Sequence, residues 1–65
     1  MKIVIEIRMN NSAFENENGN ELARILNGLA SRVDEKTLQE GDGKLLFDIN
    51  GNRVGHWEVI NEESK

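Results

Sequence analysis

The sequence contains no cysteine, no proline and no tyrosine among its 65 residues. Without cysteine there is neither a disulfide framework nor a thiolate metal site, so the fold must rest on an apolar core or on self-association. No run of about 18 apolar residues is present, and residues 1–9 alternate in character instead of forming the apolar segment of a signal peptide. We therefore expect a small cytoplasmic domain, residues 1–65, without membrane contact.

The charge has one prevailing sign, because 12 Asp and Glu residues against 8 Lys and Arg residues give a formal net charge of −4. Proteins that bind nucleic acid use Lys and Arg to neutralise phosphates, so direct nucleic-acid binding is not expected. A charged partner of this chain is expected to be basic.

The spacing of apolar residues predicts the first strand and the only helix. Residues 2–9 alternate apolar and charged side chains, which is typical of a half-buried strand. Residues 19–33 carry the apolar stripe of an amphipathic helix. Asn18 followed by Glu21 resembles a capping box that starts this helix, and Asn20 is an alternative start.

The pair Asn50-Gly51 between two apolar runs predicts a hairpin of strands 44–49 and 52–60. A type I′ turn with positive φ at both residues is expected, and a three-residue turn with a bulge at Gly51 is the alternative. In the type I′ register Asp48 lies opposite Arg53 as an exposed ion pair. A bulge at Gly55-His56 then returns Trp57 and Val59 to the core side.

These elements predict an α+β fold, a single βαββ domain in which one helix covers one face of a three-stranded sheet. We expect an antiparallel sheet in the order 1-3-2, with a parallel contact between strands 1 and 2 as the alternative, and a flexible tail at 61–65. The predicted core comprises Ile3, Ile5, Ile7, Phe14, Leu22, Ile25, Leu26, Leu29, Val33, Leu45, Phe47, Ile49, Val54, Trp57 and Val59.

No residue pattern indicates catalysis. His56 is the only histidine and has no Cys or recognisable Ser partner in the sequence, so a structural or surface role is expected. Asp48, Asn50 and Asn52 alternate as in a calcium loop, but the remaining ligands of an EF-hand are missing and a hairpin turn explains them better. The sequence thus predicts no enzyme, no cofactor and no metal.

Acidic residues concentrate between the predicted elements and suggest a partner-binding surface. If the elements run alternately up and down, the loop at 34–43 and the C-terminal tail share one pole, and the Asn-rich loop lies at the other. The candidate partner-binding residues are Glu15, Glu17 and Glu21 at one pole and Asp34, Glu35, Glu40 and Asp42 at the other. Such carboxylates partly imitate the phosphates of DNA, or serve solubility alone. Arg24, Gly28 and Arg32 form a mildly basic helix face between the poles.

Two segments carry a resemblance that covers most of the chain. The frame N-x-A-F-E-x-E-x-G-x-E-x-A-R-I-L from Asn11 to Leu26, with D-I-N-G-N-R-V-G from Asp48 to Gly55, resembles a family of small proteins from phages and mobile elements. Some short acidic proteins of this kind are anti-CRISPR inhibitors that bind a surveillance complex and block its access to DNA. The resemblance implies an inhibitor of a type I system in a bacterial host, and it assigns no functional residue.

Two functions follow as expectations. The first is an inhibitor whose acidic surface occupies a basic, nucleic-acid-binding surface of a host defence protein, so that its affinity falls as salt rises. The second is a structural or regulatory module, a monomer or weak homodimer, that self-associates through a sheet edge or through an uncovered face with Val4 and Leu46.

Overall fold

The computed structural model describes residues 1–62, which form one open sheet with a helix on one face. The strands are β1 (Lys2–Ile7), β2 (Gly43–Phe47) and β3 (Arg53–Ile60), and the helix is α1 (Asn18–Val33). The sheet order is β1-β3-β2, and both neighbouring pairs are antiparallel. The predicted α+β fold and strand order are thus confirmed, and the alternative of a parallel contact is wrong.

The elements differ from their predicted bounds by one or two residues at most of their ends. β1 stops at Ile7 instead of residue 9, and the loop that follows contains an unpredicted 3₁₀ turn at Ser12–Phe14. The predicted tail at 61–65 lies partly outside the described residues, which end at 62.

The start of α1 differs from the predicted capping box. The N-cap residue is Glu17, whose φ of 43° lies in the left-handed region and whose side chain makes no cap hydrogen bond to the backbone. Its carbonyl oxygen accepts from the Asn20 backbone N–H at 2.8 Å. The Glu21 carboxylate is used elsewhere, as described below.

The core is centred on β2, β3 and α1, and β1 lies at its margin. Ile3 faces Val59 and Ile5 faces Trp57 across the β1–β3 pair, so both isoleucines lie on the helix side of the sheet. They are nevertheless 45% and 42% exposed, which corrects their predicted burial. The buried apolar residues are Phe14, Ile25, Leu29, Leu46, Val54, Trp57 and Val59.

α1 lies towards β2, and this position explains the exposure of β1. Arg24 and Gly28 line a cleft with Leu46 and Phe47 of β2, so this flank of the helix faces the β2 side. With 3.6 residues per turn, Leu22 and Leu26 lie on the opposite flank. Leu26 is exposed there, so its predicted place in the core is wrong.

The turn of the hairpin is longer than expected, and this changes the pairing register of β2 and β3 near the turn. The Gly51 N–H donates to the Asp48 carbonyl at 3.0 Å, the Asp48 N–H donates to Asn52 O at 2.9 Å, and Gly51 has a φ of 87°. Asn50 does not have a positive φ. This is the three-residue turn with a bulge at Gly51, so the type I′ prediction is wrong and the alternative is confirmed.

The additional turn residue shifts the pairing of β2 by one position. Because side chains alternate along a strand, the residues of β2 that were expected to face the core face away from it, and their neighbours face the core. Leu46 is buried, whereas the predicted core residues Leu45, Phe47 and Ile49 are exposed. The predicted surface role of Leu46 is therefore also wrong. A second bulge is present, but one residue earlier than expected: Leu46 pairs with Gly55 and Phe47 with Arg53, which leaves Val54 as the extra residue. Val54 and Trp57 consequently both face the core.

Candidate functional site

The pole formed by the hairpin turn contains a buried carboxylate, Asp48. Its Oδ1 accepts backbone N–H groups of Asn50 at 2.9 Å and Asn52 at 2.8 Å, and its Oδ2 accepts the Asn11 side-chain amide at 2.7 Å. Burial raises the pKa of Asp48, but the hydrogen bonds from the three asparagines together outweigh burial and lower it. The predicted exposed ion pair with Arg53 is wrong, since Phe47 lies opposite Arg53.

Glu21, one of the predicted partner-binding residues, is also buried at this pole. Its Oε1 and Oε2 accept from Arg24 Nε at 3.0 Å and from Arg24 Nη2 at 2.9 Å, and Oε2 also accepts the Ile49 N–H at 2.9 Å. The bonds from Arg24 lower the pKa of Glu21 against the opposing effect of burial, and the Ile49 N–H lowers it further. Glu21 therefore holds the helix to the turn and is not part of an exposed acidic surface.

Glu15 and Glu17 are the acidic residues of this group that remain at the surface. The Glu17 carboxylate accepts from the Asn20 side-chain amide at 3.3 Å. The acidic surface at this pole is thus smaller than the sequence predicts.

The opposite pole carries the loop of residues 34–42, hereafter the acidic loop. Asp34, Glu35 and Glu40 are exposed, and Asp42 is half-buried with its Oδ2 accepting the Gln39 N–H at 3.0 Å. The acidic loop is held to the end of β3 by two backbone bonds, from the Gly41 N–H to Val59 O at 2.9 Å and from the Val59 N–H to Asp42 O at 2.8 Å. The structure therefore brings the acidic loop and the end of β3 together. Of the C-terminal tail that the sequence places at the same pole, only residues 61 and 62 belong to the described part of the chain.

A basic cleft lies at the same pole and was not predicted as a unit. Arg32, Lys36 and Lys44 line it together with Trp57, and its volume is about 290 Å³. Among the described residues none of these three cations forms an ion pair. The predicted basic face of Arg24, Gly28 and Arg32 is present, since these three residues line one cleft beside β2. Its charge is smaller than expected, because Arg24 is paired with Glu21. A Cβ at Gly28 would meet nothing within 4 Å, so no close contact with another segment requires a glycine there.

His56 lies on the sheet face away from the helix, between two carboxylates. Nδ1 is 3.7 Å from Glu6 Oε1, and Nε2 is 3.8 Å from Glu58 Oε2. Among residues 1–62, no three His, Asp or Glu side chains come close enough together to hold a metal ion. Asp48, Asn50 and Asn52, whose spacing resembles a calcium loop, are joined to one another by hydrogen bonds of the turn.

Comparison of the chain with family models, with curated protein sequences and with solved structures gives no match. Within the part of the chain that the structure describes, α1 lacks the length and apolar character needed to cross a membrane.

Proposed function

We propose that the protein has no reaction of its own and acts by binding, with the acidic loop docked on a basic, nucleic-acid-binding surface of another protein. The observation that supports this most directly is the attachment of the acidic loop to β3. Four hydrogen bonds, two of them with Val59 and two between Gln39 and Asp42, hold residues 39–42 of the loop against the end of β3.

Because this part of the loop is already bonded to the sheet, its backbone loses little further entropy on binding. Three carboxylates of the loop are exposed and available to a partner, those of Asp34, Glu35 and Glu40. The loop contains four acidic residues and one cation, Lys36, so its net charge is −3. A net charge of one sign steers a partner of opposite charge and sets the dependence of association on salt. A basic channel that normally accepts DNA phosphates has the required charge.

The resemblance to small proteins of phages gives the partner its class. We propose a type I CRISPR surveillance complex in the cytoplasm of a bacterial host, with the acidic loop excluding target DNA from the complex. Glu15 and Glu17, at the far pole, are not part of this contact.

The test is competition with DNA. Purified type I surveillance complexes loaded with guide RNA are incubated with labelled target DNA, and DNA binding is measured by fluorescence anisotropy as the protein is added at low and high salt. We expect the protein to displace DNA, and less effectively at high salt because screening shortens the range of the interaction. The double variant Glu35→Lys/Glu40→Lys should lose this effect.

Glu15→Lys/Glu17→Lys is the matched control, because it makes the same change in net charge at the other pole. It should inhibit as well as the unaltered protein. DNA binding that the protein leaves unchanged, or equal inhibition by both double variants, would contradict the proposal.

A further inference from the structure

The outer edge of β1 carries unpaired backbone hydrogen-bonding groups. β1 lies at the end of the sheet, in contact with β3 alone. The Arg8 N–H donates to Val54 O at 2.8 Å, immediately beyond the end of β1. Because bonding directions alternate in an antiparallel pair, the even-numbered residues of β1 bond to β3. The N–H and C=O groups of Ile3, Ile5 and Ile7 therefore point away from the sheet.

The other edge of the sheet is not equivalent. The Phe47 carbonyl at the outer edge of β2 accepts a hydrogen bond from Arg24 Nη2 at 3.3 Å, and α1 lies on the β2 side. The β1 edge has no such cover among the described residues. It also lacks the inward charge or the bulge by which natural edge strands commonly avoid pairing.

An apolar strip accompanies the free edge. Ile3 and Ile5 are exposed on the helix side of β1, and Leu26 is exposed on the flank of α1 that is turned away from β2. The side of the molecule that offers free backbone groups thus also offers apolar side chains.

We propose that the β1 edge pairs with β1 of a second copy of this chain, antiparallel, with Val4 opposite Val4 at the two-fold axis. Hydrogen bonding requires odd-numbered residues opposite odd-numbered residues. The central registers that satisfy this rule place Ile3 opposite Ile3, Ile3 opposite Ile5, or Ile5 opposite Ile5.

Charge selects one of these registers. With Ile3 opposite Ile5, Lys2 lies opposite Glu6 twice, once on each side of the two-fold axis. With Ile5 opposite Ile5, Lys2 lies opposite Arg8 and Val4 opposite Glu6. With Ile3 opposite Ile3, Glu6 lies beyond the end of the partner strand. Opposite charges in facing positions stabilise a strand pair, and like charges destabilise it.

The resulting dimer covers the free backbone edge of β1 and the exposed side chains of Ile3 and Ile5. Its sheet has the order β2-β3-β1-β1-β3-β2, and both helices lie on the same face because directly opposed residues of an antiparallel pair share a face. Ile3 and Ile5 of both copies meet between the two helices. β1 contributes six residues from each copy, whereas a standard interface has about 20–30 residues a side. We therefore expect weak association, dependent on concentration in the micromolar to millimolar range. This inference is independent of the proposed function.

The test is sedimentation velocity from about 10 μM to about 1 mM. We expect a monomer–dimer equilibrium in which Lys2→Glu and Glu6→Lys each lower the association constant about tenfold, because each creates two like-charge pairs. The double variant Lys2→Glu/Glu6→Lys should return to within about twofold of the unaltered protein. Lys44→Glu, on the other edge strand, is the matched control and should not change association.

Amide hydrogen exchange gives a second readout that does not depend on these variants. Protection of the Ile3 and Ile5 N–H groups should rise with protein concentration, whereas that of Leu45, on the outer edge of β2, should not. Circular dichroism at low concentration checks that each variant is folded, since Glu6 also lies 3.7 Å from His56. A protein that stays monomeric at the highest concentration, a charge swap that fails to restore association, or protection at Leu45 instead of Ile3 and Ile5 would each overturn the inference.

Discussion

The neighbouring residues Leu45 and Leu46 provide a sharp test of the hairpin register. Leu46 is 3% exposed in the core, and Leu45 is 43% exposed on the opposite face of the sheet. Removing a buried leucine side chain costs its transfer free energy and leaves a cavity, about 2–5 kcal/mol in total. Leu45→Ala, the matched control, should cost no more than about 1 kcal/mol, because 43% of Leu45 is already exposed and no enclosed cavity is left.

These magnitudes are large for a chain of this length. A domain of 65 residues is stabilised by about 3–10 kcal/mol, and each kcal/mol corresponds to about 4–8 °C in Tm. Leu46→Ala should therefore lower Tm by about 10 °C or more, and Leu45→Ala by a few degrees at most. Thermal melts followed by circular dichroism give the Tm of each variant. Urea unfolding followed by Trp57 fluorescence gives the free energy of unfolding of each variant. A larger loss in Leu45→Ala than in Leu46→Ala would refute the observed register and favour the type I′ turn.

Three further predictions concern the turn, the bulge and the buried carboxylates. Gly51→Val should destabilise the domain by at least about 1 kcal/mol, because valine is strained at a φ of 87°, and an unchanged thermal melt would contradict this. Gly55→Ala should disrupt the β1–β3 pairing, because a Cβ there would overlap the Glu6 carbonyl oxygen; native-like amide protection throughout β1 would show otherwise. Because the pKa values of Glu21 and Asp48 are lowered in the folded state, their stabilising effect should be present at neutral pH and lost as the pH falls through about 4 and below. The variant Glu21→Gln should show a shallower loss of stability in urea unfolding between pH 7 and pH 3, and a slope equal to that of the unaltered protein would count against this role.

The sequence was sufficient for the element order because each element has a clear period. The apolar stripe of residues 22–33 predicts the helix, and the alternation in residues 2–9 predicts β1. The hairpin register was not predictable from Asn50-Gly51, since this pair suits both a two-residue and a three-residue turn. In the observed three-residue turn the Asp48 side chain accepts the N–H groups of Asn50 and Asn52.

The charged residues were harder to place because their environments depend on distant segments. Glu21 is buried beside the hairpin turn, where its carboxylate accepts the Ile49 N–H. The sequence around Glu21 contains no pattern that indicates this contact, because Ile49 lies 28 positions away. The basic cleft likewise combines Arg32 of the helix, Lys36 of the loop and Lys44 of β2. The position of the acidic loop is predictable from the sequence, because the alternating directions of the helix and strands place the connection between α1 and β2 at the pole where β3 ends.

The bonds that anchor the hairpin turn have a kinetic consequence. Glu21 bonds to Ile49 across 28 positions of sequence, and Asn11 bonds to Asp48 across 37. Contacts of such separation require large loops to close, so we expect them to form after the rate-limiting barrier of folding, with the turn already in place. Interactions absent from the transition state slow unfolding and leave the folding rate nearly unchanged. The two long-range contacts, Glu21 with Ile49 and Asn11 with Asp48, should therefore set how long the native state persists, and not how quickly it is reached.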